Sequence, residues 1–267
     1  MSIGFKESQS SLSSRIKIHD LYGSANLDHW VLKKLEIKPN EKILDLGCGD
    51  GKQCFAINNN LSKSGIKIIG LDEHEDLIKI AKNKNSQNDI KFEIGDFDGE
   101  LPFSDNSFDL VISCFAIYYA ENIVRTLSEI KRVLKKNGRI FFIGPMPNNK
   151  IEFNEVVEEA ANSKIPKLIG SSRFSSEIFL AVSKNFQKAK IDQFTNVLNF
   201  KNIEPFMEYT ASALEKNRNV YDEFLKNKDL NVILKKIESI LKEKIKANGN
   251  LKITKLVGGI SAYNSID

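Results

Sequence analysis

Glu41–Gly51 reads EKILDLGCGDG, and the spacing of its glycines decides between several folds and ligands. Ile43-Leu44-Asp45-Leu46 is a short apolar run holding one acid, and it leads straight into Gly47-Cys48-Gly49-Asp50-Gly51. Such a run predicts a buried strand that ends in a tight glycine turn and opens a helix. Glycine lets the backbone approach a ligand where any Cβ would obstruct it. The spacing is Gly-x-Gly-x-Gly. A P-loop needs Gly-x-x-x-x-Gly-Lys-Ser/Thr, but Leu46 stands five residues before Gly51, and Gln53 follows Lys52. The dinucleotide fingerprint Gly-x-Gly-x-x-Gly needs a glycine where Lys52 stands. A pyrophosphate also favours a helix N-terminus without nearby acids. Here Asp45 and Asp50 flank the turn, which suits a ligand carrying positive charge, such as an ammonium or a sulfonium. A turn without a ligand remains the alternative.

The next two strands add polar groups in register. Lys67-Ile68-Ile69-Gly70-Leu71-Asp72 is apolar and closed by an acid 21 residues after Gly51. An acid there is placed to accept both hydroxyls of a ribose. Ile90-Lys91-Phe92-Glu93-Ile94-Gly95-Asp96-Phe97 is a third strand. Its Asp96 can meet an adenine amino group, and Phe97 can cover the ring face. Taken singly, Asp72 or Asp96 reads equally well as a helix N-cap.

With these motifs the sequence resembles the class I S-adenosylmethionine-dependent methyltransferases, and most closely the small-molecule enzymes of the methyltransferase-11 type. The resemblance runs from about residue 20 to 145. It takes in Pro102-Phe103-Ser104-Asp105-Asn106-Ser107-Phe108-Asp109-Leu110-Val111-Ile112-Ser113, which looks like the fourth strand and its lead-in. It continues through Leu134-Lys135-Lys136-Asn137-Gly138-Arg139-Ile140, which looks like the turn into strand five. The resemblance implies a Rossmann-like, doubly wound α/β sheet of seven strands. The sheet is mostly parallel with an antiparallel last strand, and a mainly helical lid is inserted. It implies S-adenosyl-L-methionine as donor, S-adenosyl-L-homocysteine as product and no metal. Donor contacts are expected from Tyr22, Asp45, Gly47, Cys48, Gly49 and Gly51. Gln53, Asp72, Glu73, Asp96, Phe97 and Cys114 complete that set.

Composition agrees with an ordinary globular enzyme. The chain has 267 residues, 41% hydrophobic and 28% charged, with a net charge of only +4. No apolar run reaches the ~20 residues that span a bilayer. The N-terminal MSIGFKESQSSLSSRIKIHD lacks the continuous apolar core of a secretory signal. Three cysteines make no disulfide framework, so a reduced cytoplasm is the expected location. Residues 1–14 read as a flexible serine-rich arm, 15–147 as the donor-binding core, and 148–267 as lid helices plus the last two strands. Within the core, 15–38 reads as mostly helical. Helices are also expected at 51–61, 74–83 and 122–136, the last stopped by Asn137-Gly138. Beyond Pro147, helices are expected at 150–162, 175–186, 204–214 and 219–247. Strands are expected at 190–200 and 251–257, the latter ending in Gly258-Gly259. The last two strands should pair antiparallel at the sheet edge.

Methyl transfer from a sulfonium is an in-line displacement, so positioning of the nucleophile carries most of the catalysis. A base is needed only for a hydroxyl or a protonated amine. His19 and Tyr22 lie in IKIHDLYG, which the resemblance places over the methionine end of the donor. His19 is a candidate base. Tyr118 and Tyr119, after strand four, are candidates to position the acceptor, against a plain packing role. His74 reads as a solvated helix-start residue, and His29 as packing beside Trp30. Arg173, Phe174 and Tyr209 are the lid's expected acceptor contacts, and Arg173 together with the lysines suggests an anionic acceptor, for example a phosphorylated or nucleotide-linked metabolite or sugar. Arsenite methyltransferases bind their substrate by thiolates, but Cys48, Cys54 and Cys114 fall on packed donor-side positions. Nine lysines lie between Lys226 and Lys255. Val232, Leu234, Ile237, Ile240, Leu241 and Ile245 recur there at helical spacing, so the lysines read as a solvated face. The segment SCFAIYY after strand four lacks the Asn/Asp-Pro-Pro-Tyr/Phe motif of nucleic-acid amino methylators. The expected partner is a small-molecule acceptor, methylated on oxygen or nitrogen. Nucleic acid and membrane are not expected. An RNA or protein methyltransferase, or a non-catalytic donor-binding subunit, are the alternatives.

Overall fold

A computed structural model describes residues 17–61, 64–87, 89–165, 172–215, 221 and 224–265. The arm expected at 1–14 lies outside the described residues. A helical stretch over 17–22 precedes α1 (Leu27–Leu35). Then follow β1 (Lys42–Leu46), α2 (Lys52–Leu61), β2 (Lys67–Asp72), α3 (Glu75–Lys84) and β3 (Ile90–Ile94). β4 (Phe108–Cys114), α4 (Ile123–Val133) and β5 (Leu134–Pro145) complete the core. Beyond it come α5 (Ile151–Ala161), α6 (Phe179–Asn185) and β6 (Gln187–Phe200), then α7 (Glu204–Glu215), α8 (Leu230–Asn248) and β7 (Leu251–Tyr263).

The seven strands form one sheet in the order β3-β2-β1-β4-β5-β7-β6. β1 to β5 pair in parallel, and β7 is antiparallel to both neighbours. The central strands are apolar almost throughout because helices cover both faces. On one face α1, α2 and α3 pack Val31, Cys54, Ile57 and Ile78 against Ile43, Ile112 and Phe141. On the other, α4 and α6 pack Leu127, Ile130 and Val182 against Leu44, Val111 and Phe142. Strand order reverses between β1 and β4. Ligands in such sheets sit beyond the carboxyl ends of the strands at that switch point.

β7 meets β5 only from Val257 to Tyr263, so Leu251–Leu256 pairs with β6 alone. This two-stranded extension projects about 20 Å past the carboxyl edge. α5, α7 and α8 bury Phe153, Phe206, Tyr209, Ile237 and Leu241 on it as a separate core. The outer edge of β6 is covered by the N-terminal segment through a Gly23–Leu198 bridge and the Ser24 N–H donating to Val197 O at 3.1 Å. A Cβ at Gly23 would meet His19 O at 2.4 Å, which is why that close crossing uses glycine.

Four expected boundaries move. The helix expected at 15–38 breaks near Gly23, and Asn26 starts a new one by accepting the His29 N–H. α4 ends at Val133 rather than at Asn137-Gly138, because β5 begins at Leu134; within β5 Asn137 takes a positive φ and its N–H donates to Ser265 O at 3.1 Å. The helix expected at 219–247 restarts at Leu230, because Asp229 accepts the Asn231 and Val232 N–H groups. β7 runs through Gly258-Gly259 instead of ending there. A Cβ at Gly258 would strike Met146, and one at Gly259 would strike Trp30 and Phe141.

Candidate active site

The glycine turn sits at the carboxyl end of β1 with Gly47, Gly49 and Gly51 all at positive φ. A Cβ at Gly47 would lie 2.3 Å from that of Ala116. The turn's amides are already engaged. Gly47 and Cys48 donate to Leu71 O, Gly51 donates to Cys48 O, and Gly49 donates to the Asp72 carboxylate at 2.8 Å. An amide cradle for phosphate is therefore absent from these four positions, in keeping with the glycine spacing. Asp50, expected to lend charge to the turn, is paired on the surface with Lys84 at 2.6 Å.

Asp45 is buried, and its Oδ2 accepts the Cys54 thiol at 3.2 Å. Burial pushes its carboxyl up to about 7; the Cys54 hydrogen bond opposes this and nearby Asp72 adds to it. Its Oδ1 has no partner among the described residues, nor has the buried Nε2 of Gln53 just past the turn. The turn is thus flanked by one unpaired acceptor and one unpaired donor. Unpaired buried polar atoms are costly and point to a missing partner. An amino-acid zwitterion offers both partners: an ammonium for Asp45 and a carboxylate for Gln53.

Asp72 closes β2. Its Oδ2 takes the Gly49 N–H, and its Oδ1 takes both the main-chain N–H of His74 at 2.9 Å and the His74 ring Nδ1 at 3.0 Å. An ionised carboxylate only accepts, so Nδ1 carries the proton in that contact. His74 heads α3 without capping it. Its ring is not simply solvated, and sequence reading missed this because the role rests on a rotamer. Glu73 beside it is exposed. Asp96 is exposed and accepts the Asp98 N–H at 2.7 Å, while Phe97 is half-buried over Gly47. The Cys48, Cys54 and Cys114 thiols are all pushed well up by burial, with Asp45 adding to each. They are thiols rather than thiolates, which fits packing and not soft-acceptor binding.

A family model described as "Methyltransferase domain" matches residues 37–202. The uncharacterised protein MJ1252 of Methanocaldococcus jannaschii is 29% identical over 205 residues, covering 72% of this chain and 74% of that one. Demethylmenaquinone methyltransferase of Staphylococcus saprophyticus is 27% identical, covering 65% and 76%. The same-named enzyme of Lactobacillus johnsonii is 36% identical over a shorter stretch, 40% of this chain and 45% of its own length. Among solved structures, the YcgJ protein of Bacillus subtilis aligns with a TM-score of 0.56 at 16% identity, covering 90% of this chain and 98% of that one. The chain belongs to the class I S-adenosylmethionine-dependent methyltransferases.

On the acceptor side of this methyltransferase, several expected contacts fall elsewhere. Tyr118 is buried in the core under α4 and α6, edge-on to Phe174. Its neighbour Tyr119 is half-buried, with ring centroids 4.6 Å apart. Phe174 is fully buried and fills the space left by Gly144 and Gly258, so it offers no surface to an acceptor. Arg173 is also buried; its guanidinium donates to Tyr118 O at 2.8 Å and pairs with Glu177 at 3.0 Å. It ties the 117–119 turn to the helical segment that runs into α6. Tyr209 is buried in the lid core. His19 packs 6.1 Å from the Tyr209 ring, and Tyr22 packs 5.1 Å from Phe200, so both sit with the lid core. The structure thus brings Asp45, Gln53, Cys48, Asp72, Phe97 and Cys114 around the turn, and His19, Tyr22 and Tyr209 into the lid. Among the described residues, no helix is long and apolar enough to cross a membrane, and no three metal-ligating side chains cluster.

Proposed function

We propose that this methyltransferase binds S-adenosyl-L-methionine across the glycine turn and methylates an oxygen or nitrogen of a small metabolite, anionic or linked to a nucleotide or sugar. The observation that carries the donor reading is the unpaired acceptor and donor, Asp45 Oδ1 and Gln53 Nε2, on either side of the turn. When bound, the donor supplies a methyl group on a sulfonium. Asp45 holds the ammonium in a dry site where charge attraction is strong. Gly47, Gly49 and Gly51 let the backbone close on the ligand. Asp72, already oriented by Gly49 and His74, accepts the ribose hydroxyls. Phe97 covers the adenine, with Asp96 at its amino group. Cys114 and Tyr119 border the reacting end. The lid excludes water and sets the acceptor in line. A cytoplasmic location fits three protonated, unbridged thiols.

Incubation with methyl-labelled S-adenosylmethionine and size-fractionated cell extract tests this. Label is expected in the small-molecule fraction. Label in RNA or protein would replace the acceptor class, and donor binding without any transfer would favour a non-catalytic subunit.

A further inference from the structure

One aromatic side chain stands unpacked where the strand order reverses. Phe115 follows the last residue of β4, and its N–H donates to Ile143 O at 2.8 Å. Asp45 pairs with Ile112 on one side of β4, and Cys114 pairs with Ile143 on the other. One residue past the strand, Phe115 therefore lies between the glycine turn and the end of β5. The next residue, Ala116, is the one that a Cβ at Gly47 would meet at 2.3 Å. Phe115 is 39% exposed, joins none of the three apolar cores, and meets no other ring and no cation among the described residues. Helices cover both faces of the sheet, so an unpacked ring at this edge opens onto the crevice beyond the strands.

The backbone of Phe115 is unusual as well. Its φ is +58, and a bulky side chain is rare in that left-handed region. The bond to Ile143 O holds it there. A conformation that costs stability and exposes an aromatic ring is kept where the ring serves a function. The charges at this edge narrow that function. The donor carries two cations, an ammonium and a sulfonium, and Asp45 Oδ1 offers one unpaired carboxylate oxygen. Other acids nearby are engaged: Asp72 holds Gly49 and His74, Asp28 pairs with Lys52 at 3.1 Å, and Asp50 pairs with Lys84. An aromatic face attracts a cation without a carboxylate, and more strongly where water is excluded.

We propose that the Phe115 ring reads the charge on the donor's sulfur, so that it stabilises bound S-adenosyl-L-methionine and not S-adenosyl-L-homocysteine. In the transfer the acceptor's lone pair forms the new bond to the methyl carbon, the S–CH3 bond breaks, and its electron pair stays on sulfur. Sulfur is then a neutral thioether, and the ring no longer retains the product. The inference rests on the donor-binding reading and deepens it: Asp45 meets the ammonium and Phe115 the sulfonium.

Calorimetry of S-adenosylmethionine and S-adenosylhomocysteine binding to wild type, Phe115→Leu, Phe115→Tyr and Phe115→Gly tests this. Phe115→Leu keeps an apolar side chain without the negative face of a ring. Its dissociation constant for S-adenosylmethionine should rise roughly 3- to 30-fold, with that for S-adenosylhomocysteine within about twofold of wild type. Phe115→Tyr keeps the ring and should keep the ratio of the two affinities. An analogue with an ammonium-bearing carbon in place of the methylated sulfur should follow S-adenosylmethionine across the series. Phe115→Gly separates the ring from the backbone: glycine suits φ +58, so this variant should melt no lower than wild type and still shift the ratio as Phe115→Leu does. Equal loss of both ligands in Phe115→Leu, or loss of neither, overturns the proposal and leaves the donor reading standing. A Phe115→Gly variant with the wild-type ratio, or a Phe115→Tyr variant without it, does the same. Failure of wild type to bind either ligand overturns the donor reading, and this proposal with it.

Discussion

The Asp72 carboxylate accepts the Gly49 N–H at 2.8 Å, so the acid that ends β2 also holds the glycine turn that ends β1. One side chain thereby links the two ends of the proposed donor site. Asp72→Ala removes the proposed ribose acceptor and frees a turn amide together, and S-adenosylhomocysteine affinity should fall at least about 100-fold. Asp72→Asn keeps an acceptor oxygen for one of these contacts and should lose less. Isothermal calorimetry reads both; an Ala variant that binds like wild type would remove the donor assignment.

His74 reaches the same carboxylate twice, through its N–H and its ring. The second bond orients Asp72 without touching the reacting atoms. His74→Ala should raise the dissociation constant of S-adenosylhomocysteine roughly 3- to 10-fold, the worth of one hydrogen bond. His74→Asn, which still offers an N–H at short reach, should recover most of it. A purely structural role for His74 would instead lower the melting temperature in both variants and leave KM for the donor unchanged.

The parts legible in the sequence are those where a residue type has one local meaning. Gly47, Gly49 and Gly51 require positive φ, and Asp45 and Asp72 close apolar runs, so their places along the sheet edge follow from register. The lid residues lacked such local meaning. Phe174 read as a lid contact because nothing nearby in sequence shows that Gly144 and Gly258 leave it a core site. Arg173 read as an anion contact because Glu177 looked like any acid one helical turn away. Lys150 and Lys255 are more than 100 positions apart in the chain, and only the strand-to-helix packing brings them onto Phe153 and Tyr209. The β7 glycines read as a stop for the same reason: the rings they admit come from distant segments.

Gly47 tests the turn. A methyl group there would meet Ala116 Cβ at 2.3 Å, and φ is +71. Both the clash and the left-handed backbone oppose Gly47→Ala, which should lower stability by about 2 kcal/mol or more. Gly47→Ala with Ala116→Gly relieves the clash but not the backbone, so it should recover part of the loss. Denaturant titration measures the pair; full recovery would show that φ carries no cost there.

Asp45 predicts a pH signature. Burial raises its carboxyl from 3.8 to about 7. The folded protein therefore binds this proton more tightly than the unfolded chain, and the unfolded state holds fewer protons between those values. The stability tied to this group is complete below pH 3.8 and is lost as pH rises through about 7. Asp45→Asn has no proton to lose, so its stability should fall less than that of wild type across this window. A cationic donor beside Asp45 favours the carboxylate, so binding below about pH 7 should release a proton, and affinity should rise with pH up to that point. Calorimetry of S-adenosylmethionine binding in two buffers of different ionisation enthalpy counts that proton. Release is expected in wild type and not in Asp45→Asn; equal release in both would place the titrating group elsewhere.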